Sequence, residues 1–302
     1  MSEPKSTTCT PLSEVLGISH DSVNLFLLRE NDEPKDLFNG AKRLLNLVGG
    51  KLNVVDSILD KPYSQHMELI GYFWFGKHHR VLKGLNLITL YYTDPQGRSL
   101  PVNYRVYDKA EGKTKNDYFI DMLGEMLAWG LQPDFMTGDS WYSCIENLNT
   151  VKNHRMGFMF AVESNRRVST VKGSWVQVQK LDVPEDGMLV WLREFGNVKL
   201  FRMWLKDRLR HYVVFLTNTD TFDAFEQAEF QALHDHHLPI EQYHRMIKQV
   251  CNKEKFQMCC KVPILNHIFT ALCAYIHLQQ MQFSDIVSNA YQWQRALYRV
   301  LN

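Results

Sequence analysis

The chain has 302 residues, 45% of them hydrophobic and 22% charged, and a formal net charge of +1. This is an ordinary soluble composition, with material for one substantial core, a small appendage and an insertion; the near-neutral sum does not by itself announce a nucleic-acid partner. Six cysteines (Cys9, Cys144, Cys251, Cys259, Cys260 and Cys273) keep no disulfide rhythm, and no charged start leads into an apolar signal segment, so a reducing cytoplasm is expected.

Residues 1–50 suggest a small helical unit. Leu12, Val15, Leu16, Val23, Phe26 and Leu27 are spaced for two short helices broken at Gly17, with Ser19 placed to cap the second. That pattern suits a helix-turn-helix and suits any helical hairpin nearly as well. "RENDEPKD" then interrupts the helix, and "AKRLLNLVGG" is expected to be a third helix stopped by paired glycines.

From Lys51 the period becomes that of strands, and residues 51–302 are expected to form one catalytic domain. "KLNVVDSIL", "LNLITLYYTD" and "LPVNYRVYD" are candidate strands, the last two joined by the turn "DPQGRS". The helix "NDYFIDMLGEMLAWG", the strand "PDFMTGD", the helix "SCIENLNTVKNH" and the strand "GFMFAVES" follow. This order predicts an α/β fold with a mixed sheet. At about 166–220 the rhythm yields to further strands, a β-rich insertion, and helices return at about Phe222. The apolar run "VPILNHIFTALCAYIHLQQMQF" is interrupted by Asn266, His267, His277 and glutamines, which predicts a buried helix rather than a membrane span.

Three carboxylates stand out. Asp56 sits within the first core strand, where a charge is costly unless its site rewards it. Asp139 ends a later strand, where α/β sheets present ligand-binding groups. Glu241 opens a helix that begins at Pro239, one turn ahead of Arg245 and two ahead of Lys248, a stripe that a solvated face or an i,i+4 ion pair explains equally well. Together the acids could converge on divalent metal for in-line phosphoryl transfer, and hard oxygen ligands suit magnesium or manganese. Asp60 and Asp117 compete; the first is better read as a strand-ending turn residue and the second as a helix first-turn charge.

"DKPYSQ", "GDSWYSCIENL", "FAVESNRRV" and "IEQYHRMIKQ" resemble the insertion-sequence transposases of the DDE superfamily, in the branch with a β-rich insertion between the second Asp and the Glu. The resemblance runs from about Lys51 to Gln282. It implies an RNase H-like core holding two Mg²⁺ ions, for which Mn²⁺ substitutes, on Asp56, Asp139 and Glu241. It also implies endonuclease cleavage at element ends and strand transfer into target DNA. The expected partners are double-stranded DNA and a second copy of the chain in a synaptic dimer, with no membrane; the expected place is a prokaryotic cytoplasm, on the nucleoid when bound to DNA. The branch signature is Tyr, two residues, Arg, three residues, Glu, six residues, Lys; this chain has His234, His237, Glu241 and Lys248 there. Arg245 is the candidate to supply the missing guanidinium to phosphate. Relatives read Asp-Asp-Thr where this chain has Val55-Asp56-Ser57, and Asp56 is assigned the role because it fits the strand's inward alternation. The alternative is a catalytically inactive, transposase-derived DNA-binding protein.

Residues 151–210 carry twelve Lys or Arg against six Asp or Glu, so this segment, with Arg166 and Arg167, is the expected phosphate-binding surface, helped by His234 and His237. The "HDHHLP" histidines and nearby cysteines match no closed zinc spacing. Trp175 and Trp141 are candidates to stack an extruded base, although a core role is the plainer reading of any single tryptophan.

Overall fold

The computed structural model describes residues 17–29, 32–75, 80–171, 173–205, 208–235, 238–256 and 258–287. Helix α1 (His20–Arg29) is capped by Ser19, whose Oγ accepts from the Ser22 N–H at 3.1 Å. The helix expected before it, with Leu12, Val15 and Leu16, lies outside the described residues, as do Cys9 and His237. Helix α2 corrects the sequence reading. It spans Pro34–Ala41 and ends well ahead of the paired glycines. Pro34 at the first helical turn starts the helix, since its missing N–H has no helical partner to lose there, and the Asp36 carboxylate accepts from the Glu33 N–H at 3.1 Å.

The strands are β1 (Lys51–Asp60), β2 (Gly71–Phe75), β3 (Arg80–Thr93) and β4 (Ser99–Val106), then β5 (Phe135–Gly138) and β6 (Gly157–Val162). Helices α3 (Lys115–Ala128) and α4 (Ile145–Asn153) make the crossovers into β5 and β6. Strand β2, which the sequence reading did not anticipate, pairs with the first half of the long β3, while β4 pairs with its second half. β1 runs antiparallel to β3 and parallel to β5, and β5 is parallel to β6. The order β4-β3-β1-β5-β6 is the mixed α/β sheet of an RNase H-like core.

Strands β7 (Arg167–Val171), β8 (Ser174–Gln177), β9 (Met188–Leu192), β10 (Gly196–Leu205) and β11 (Arg208–Phe215) occupy the later β-rich stretch. They continue the core sheet, because β11 pairs antiparallel with β6 from His211↔Val162 to Phe215↔Phe158, giving one sheet of eleven strands among the described residues. Four helices follow: α5 (Thr219–Asp223), α6 (Gln227–Asp235), α7 (Leu238–Gln249) and α8 (Lys261–Phe283). α8 buries Ile264, Ile268, Leu272, Tyr275 and Ile276 in the main core, and no helix among the described residues is long and apolar enough to cross a membrane. The α7 side chains Ile240, Tyr243 and Ile247 enter the same core at spacings of three and four, so Glu241, Arg245 and Lys248 are left on the outer stripe of that helix.

Candidate active site

Neighbouring strands β1 and β5 set the site. Val54 is in register with Gly138, so Asp56, two residues further along β1, and Asp139, just past the end of β5, both reach the carboxyl-terminal edge of the parallel strands. There they line one cavity of about 1590 Å³. Val55, one residue before Asp56, points the opposite way and packs in the hydrophobic core. Asp139 also shapes the turn that carries it, accepting at 2.9 Å from the Trp141 N–H.

The two acids sit in different electrostatic surroundings. The Asp56 carboxylate is ion-paired with the Lys115 ammonium from the first turn of α3 and accepts from Asn86 Nδ2 at 3.2 Å. Asp139 opens onto the cavity, yet its pKa is raised to about 6, first because the protein around it displaces water and then because of the Asp56 charge, with the Trp141 N–H and Lys115 opposing. Two facing carboxylates, one of them held well above the ordinary range, form a site where additional positive charge is stabilising.

Neutral oxygens surround them. Asn86 Oδ1 and Thr137 Oγ1 are buried without a hydrogen-bond partner among the described residues, and both residues line the cavity. The acids and these neutral oxygens make a hard donor set that fits magnesium or manganese better than a thiophilic ion. Ser140 Oγ donates to Glu163 Oε1 at 2.5 Å, which places a third carboxylate on the cavity wall.

Glu241 does not line the cavity. It is exposed at the start of α7, and its charge acts on the His234 ring, which does line the cavity and which burial shifts below the usual histidine pKa. His234 is held in place by Tyr212, Oη to Nε2 at 3.3 Å. Among the described residues no three His, Cys, Asp or Glu side chains converge closely enough to hold one ion. The structure therefore brings together two of the three expected acids and leaves Glu241 outside the cavity lining. Lys248 is ion-paired with Glu254 at 2.8 Å and Arg245 is exposed on the same helix. Asp117 is a local residue, as expected, bonded reciprocally with Thr114 at the start of α3. Asp60 is exposed at the end of β1.

The cavity walls differ from the sequence expectation. Arg166 and Arg167 are not among the lining residues; Arg208, Arg210 and His211 of β11 are, with Lys109 and Lys115 opposite. Trp141 lines the cavity and is 58% exposed, whereas Trp175 lies on β8, away from it. The other aromatic wall comes from Tyr72 and Trp74 on β2, 66% and 60% exposed. Sequence reading missed this wall because "GYFWF" has the look of a short apolar run; its exposed aromatics at alternate positions were the available signal.

None of the curated proteins compared with this chain matches it. The family model described as "Transposase DDE domain" matches residues 67–276, from just before β2 to within α8 and across more than two thirds of the chain. Asp139 and Glu241 lie within the matched span and Asp56, on β1, lies just ahead of it; with a match of this extent the chain belongs to the DDE-domain transposases.

Proposed function

We propose that this transposase cuts DNA at the ends of an insertion element and joins the freed 3′-hydroxyl to target DNA, with Asp56 and Asp139 as the principal ligands of a divalent ion, Mg²⁺ or Mn²⁺. The observation that carries the reading is the placement of both acids on one cavity edge with the Asp139 pKa raised to about 6. A bound divalent ion would supply charge stabilisation at the phosphate and activate the attacking hydroxyl.

The chain's own residues account for the remaining needs. Arg208 and Arg210 offer guanidinium groups to phosphate oxygens on one side, and Trp141, Tyr72 and Trp74 offer ring faces to bases on the other. Glu241, whose charge acts on the cavity residue His234, is the third carboxylate of the set. Arg245 and Lys248, on the same outer stripe, then meet the DNA backbone. Synapsis of two DNA ends calls for two copies of the chain.

The test is metal-dependent cleavage of a DNA fragment bearing the element ends, comparing the protein with Asp139→Ala and Glu241→Ala. Cuts at the ends that disappear in both variants support the reading. Intact DNA binding without cleavage, with or without metal, would instead make the chain a non-catalytic DNA-binding member of its family.

A further inference from the structure

The ion pair on Asp56 has a feature the paired-carboxylate site does not require. The Lys115 and Asp56 side chains are only 14% and 20% exposed, so the ammonium lies inside the cavity. Its backbone is fixed, because the Thr114 side chain caps α3 and Asp117 bonds back to the Thr114 N–H at 2.6 Å. Its side chain is not confined to one partner. The same ammonium lies 4.9 Å from the Trp141 ring centroid and 5.8 Å from that of Phe73, both cavity residues. A cation over an indole face is stabilised by the ring's negative quadrupole, and a four-carbon stem lets the charge swing through several ångströms. Asp139 feels this charge too, since Lys115 opposes the rise in its pKa.

A single ammonium therefore stands where two carboxylates call for positive charge, with an aromatic seat beside it on the turn that carries Asp139. A divalent ion binding Asp56 must displace or share the contact Lys115 now makes. Once displaced towards Trp141, the ammonium remains in the cavity as a mobile point charge with no acid of its own, which suits a phosphate oxygen.

Resting on the metal-dependent reading above, we propose that Lys115 is a further catalytic residue of this site: its ammonium is the resident counter-ion of Asp56 and, displaced by the incoming divalent ion onto the Trp141 side of the cavity, becomes a ligand of the scissile phosphate.

The experiment titrates Mn²⁺ into the full chain without DNA, counting bound ion by electron paramagnetic resonance, for the unaltered protein, Lys115→Met, Lys115→Arg and Asp139→Asn. Lys115→Met is expected to bind Mn²⁺ roughly tenfold more tightly, because the competing cation is gone. At saturating Mn²⁺ it should nevertheless cleave an element-end fragment about a hundredfold more slowly, and Lys115→Arg should recover part of that rate. A purely structural lysine would weaken folding without tightening metal binding. A folded Lys115→Met whose Mn²⁺ affinity is unchanged or weaker, while Asp139→Asn loses affinity, overturns the Lys115 proposal alone. Unchanged affinity in Asp139→Asn overturns the two-carboxylate reading and the proposal with it. Lys115→Gln serves as the second neutral variant if the methionine chain does not fold.

Discussion

Asp56 and Asp139 face the same cavity from adjacent parallel strands, held in step by the register of Val54 with Gly138. The Asp56 charge therefore raises the free energy of the charged form of Asp139. Asp139 shows the effect, its pKa lifted to about 6 first by burial and then by Asp56. A carboxyl whose folded pKa lies above its unfolded value destabilises the fold once both states are ionised, and this cost vanishes below the unfolded pKa. In metal-free protein, Asp139→Asn is expected to be more stable above pH 6 by about 1 kcal/mol, a figure reduced for the solvent that reaches the cavity. The advantage should shrink as pH falls from 6 towards 4. Urea midpoints at pH 4, 5, 6 and 7.5 decide it, and a stability difference independent of pH would refute the assignment.

Gly138 is the hinge between that register and the acid. A Cβ at this position would stand 2.5 Å from the Phe160 ring and 2.7 Å from Val54 Cγ1, and neither neighbour is a flexible chain end. Gly138→Ala should cost about 1–3 kcal/mol through overpacking. It should also move Asp139 relative to Asp56, so cleavage is expected to fall by more than the loss of folded protein explains. Thermal melting together with single-turnover cleavage separates the two effects.

Much of this arrangement was legible in the sequence, and the illegible parts have physical causes. Asp56 was readable because a charge inside an alternating strand has a cost, and Asp139 because it follows a short strand and leads into a turn. The α/β order of the core was readable from the change of period. The merger of the later strands with the core sheet was not, since the pairing of β11 with β6 joins residues about fifty positions apart and leaves no local pattern. Lys115 was invisible for the same reason. A lysine at the start of a helix reads as a solvated charge, and only the folded chain shows it against Asp56, 59 residues earlier. Composition singled out Arg166 and Arg167, which stand at the start of β7 outside the cavity lining, while Arg208 and Arg210 line the cavity.

Which of these arginines meets phosphate is testable by salt dependence. Removing one cation that neutralises a phosphate should lower the slope of log binding constant against log salt by about one for duplex DNA. Arg210→Ala and Arg208→Ala are expected to show this reduction for element-end DNA, with weakened affinity at low salt. Arg167→Ala should leave the slope closer to that of the unaltered protein. Filter binding or fluorescence anisotropy between 50 and 300 mM salt, concentrations chosen to span about the physiological range, reads all three slopes. Equal slopes in all variants would show that the β11 wall does not meet the DNA backbone.

Behind the cavity, Lys253 is fully buried, and its ammonium donates to Ser57 Oγ at 2.8 Å, next to Asp56 in the chain. Burial pulls its pKa down to about 7 from 10.5, with Glu254 opposing and Lys248 reinforcing the shift. Between those two values the unfolded chain holds a proton that the folded chain has released, so stability rises with pH across that window and is flat, on this account, below 7. The rise attributable to this one group approaches about 1 kcal/mol per pH unit. Lys253→Met should be more stable than the unaltered protein at pH 7 and should lose that part of the slope. The difference between the two proteins' urea midpoints, followed from pH 6.5 to 9.5, isolates the lysine from every other titrating group. A constant difference would mean that Ser57 and its surroundings solvate the ammonium well enough to keep it charged. Lys253 would then be a permanent positive charge behind the β1 floor, and the electrostatics of Asp56 would include it.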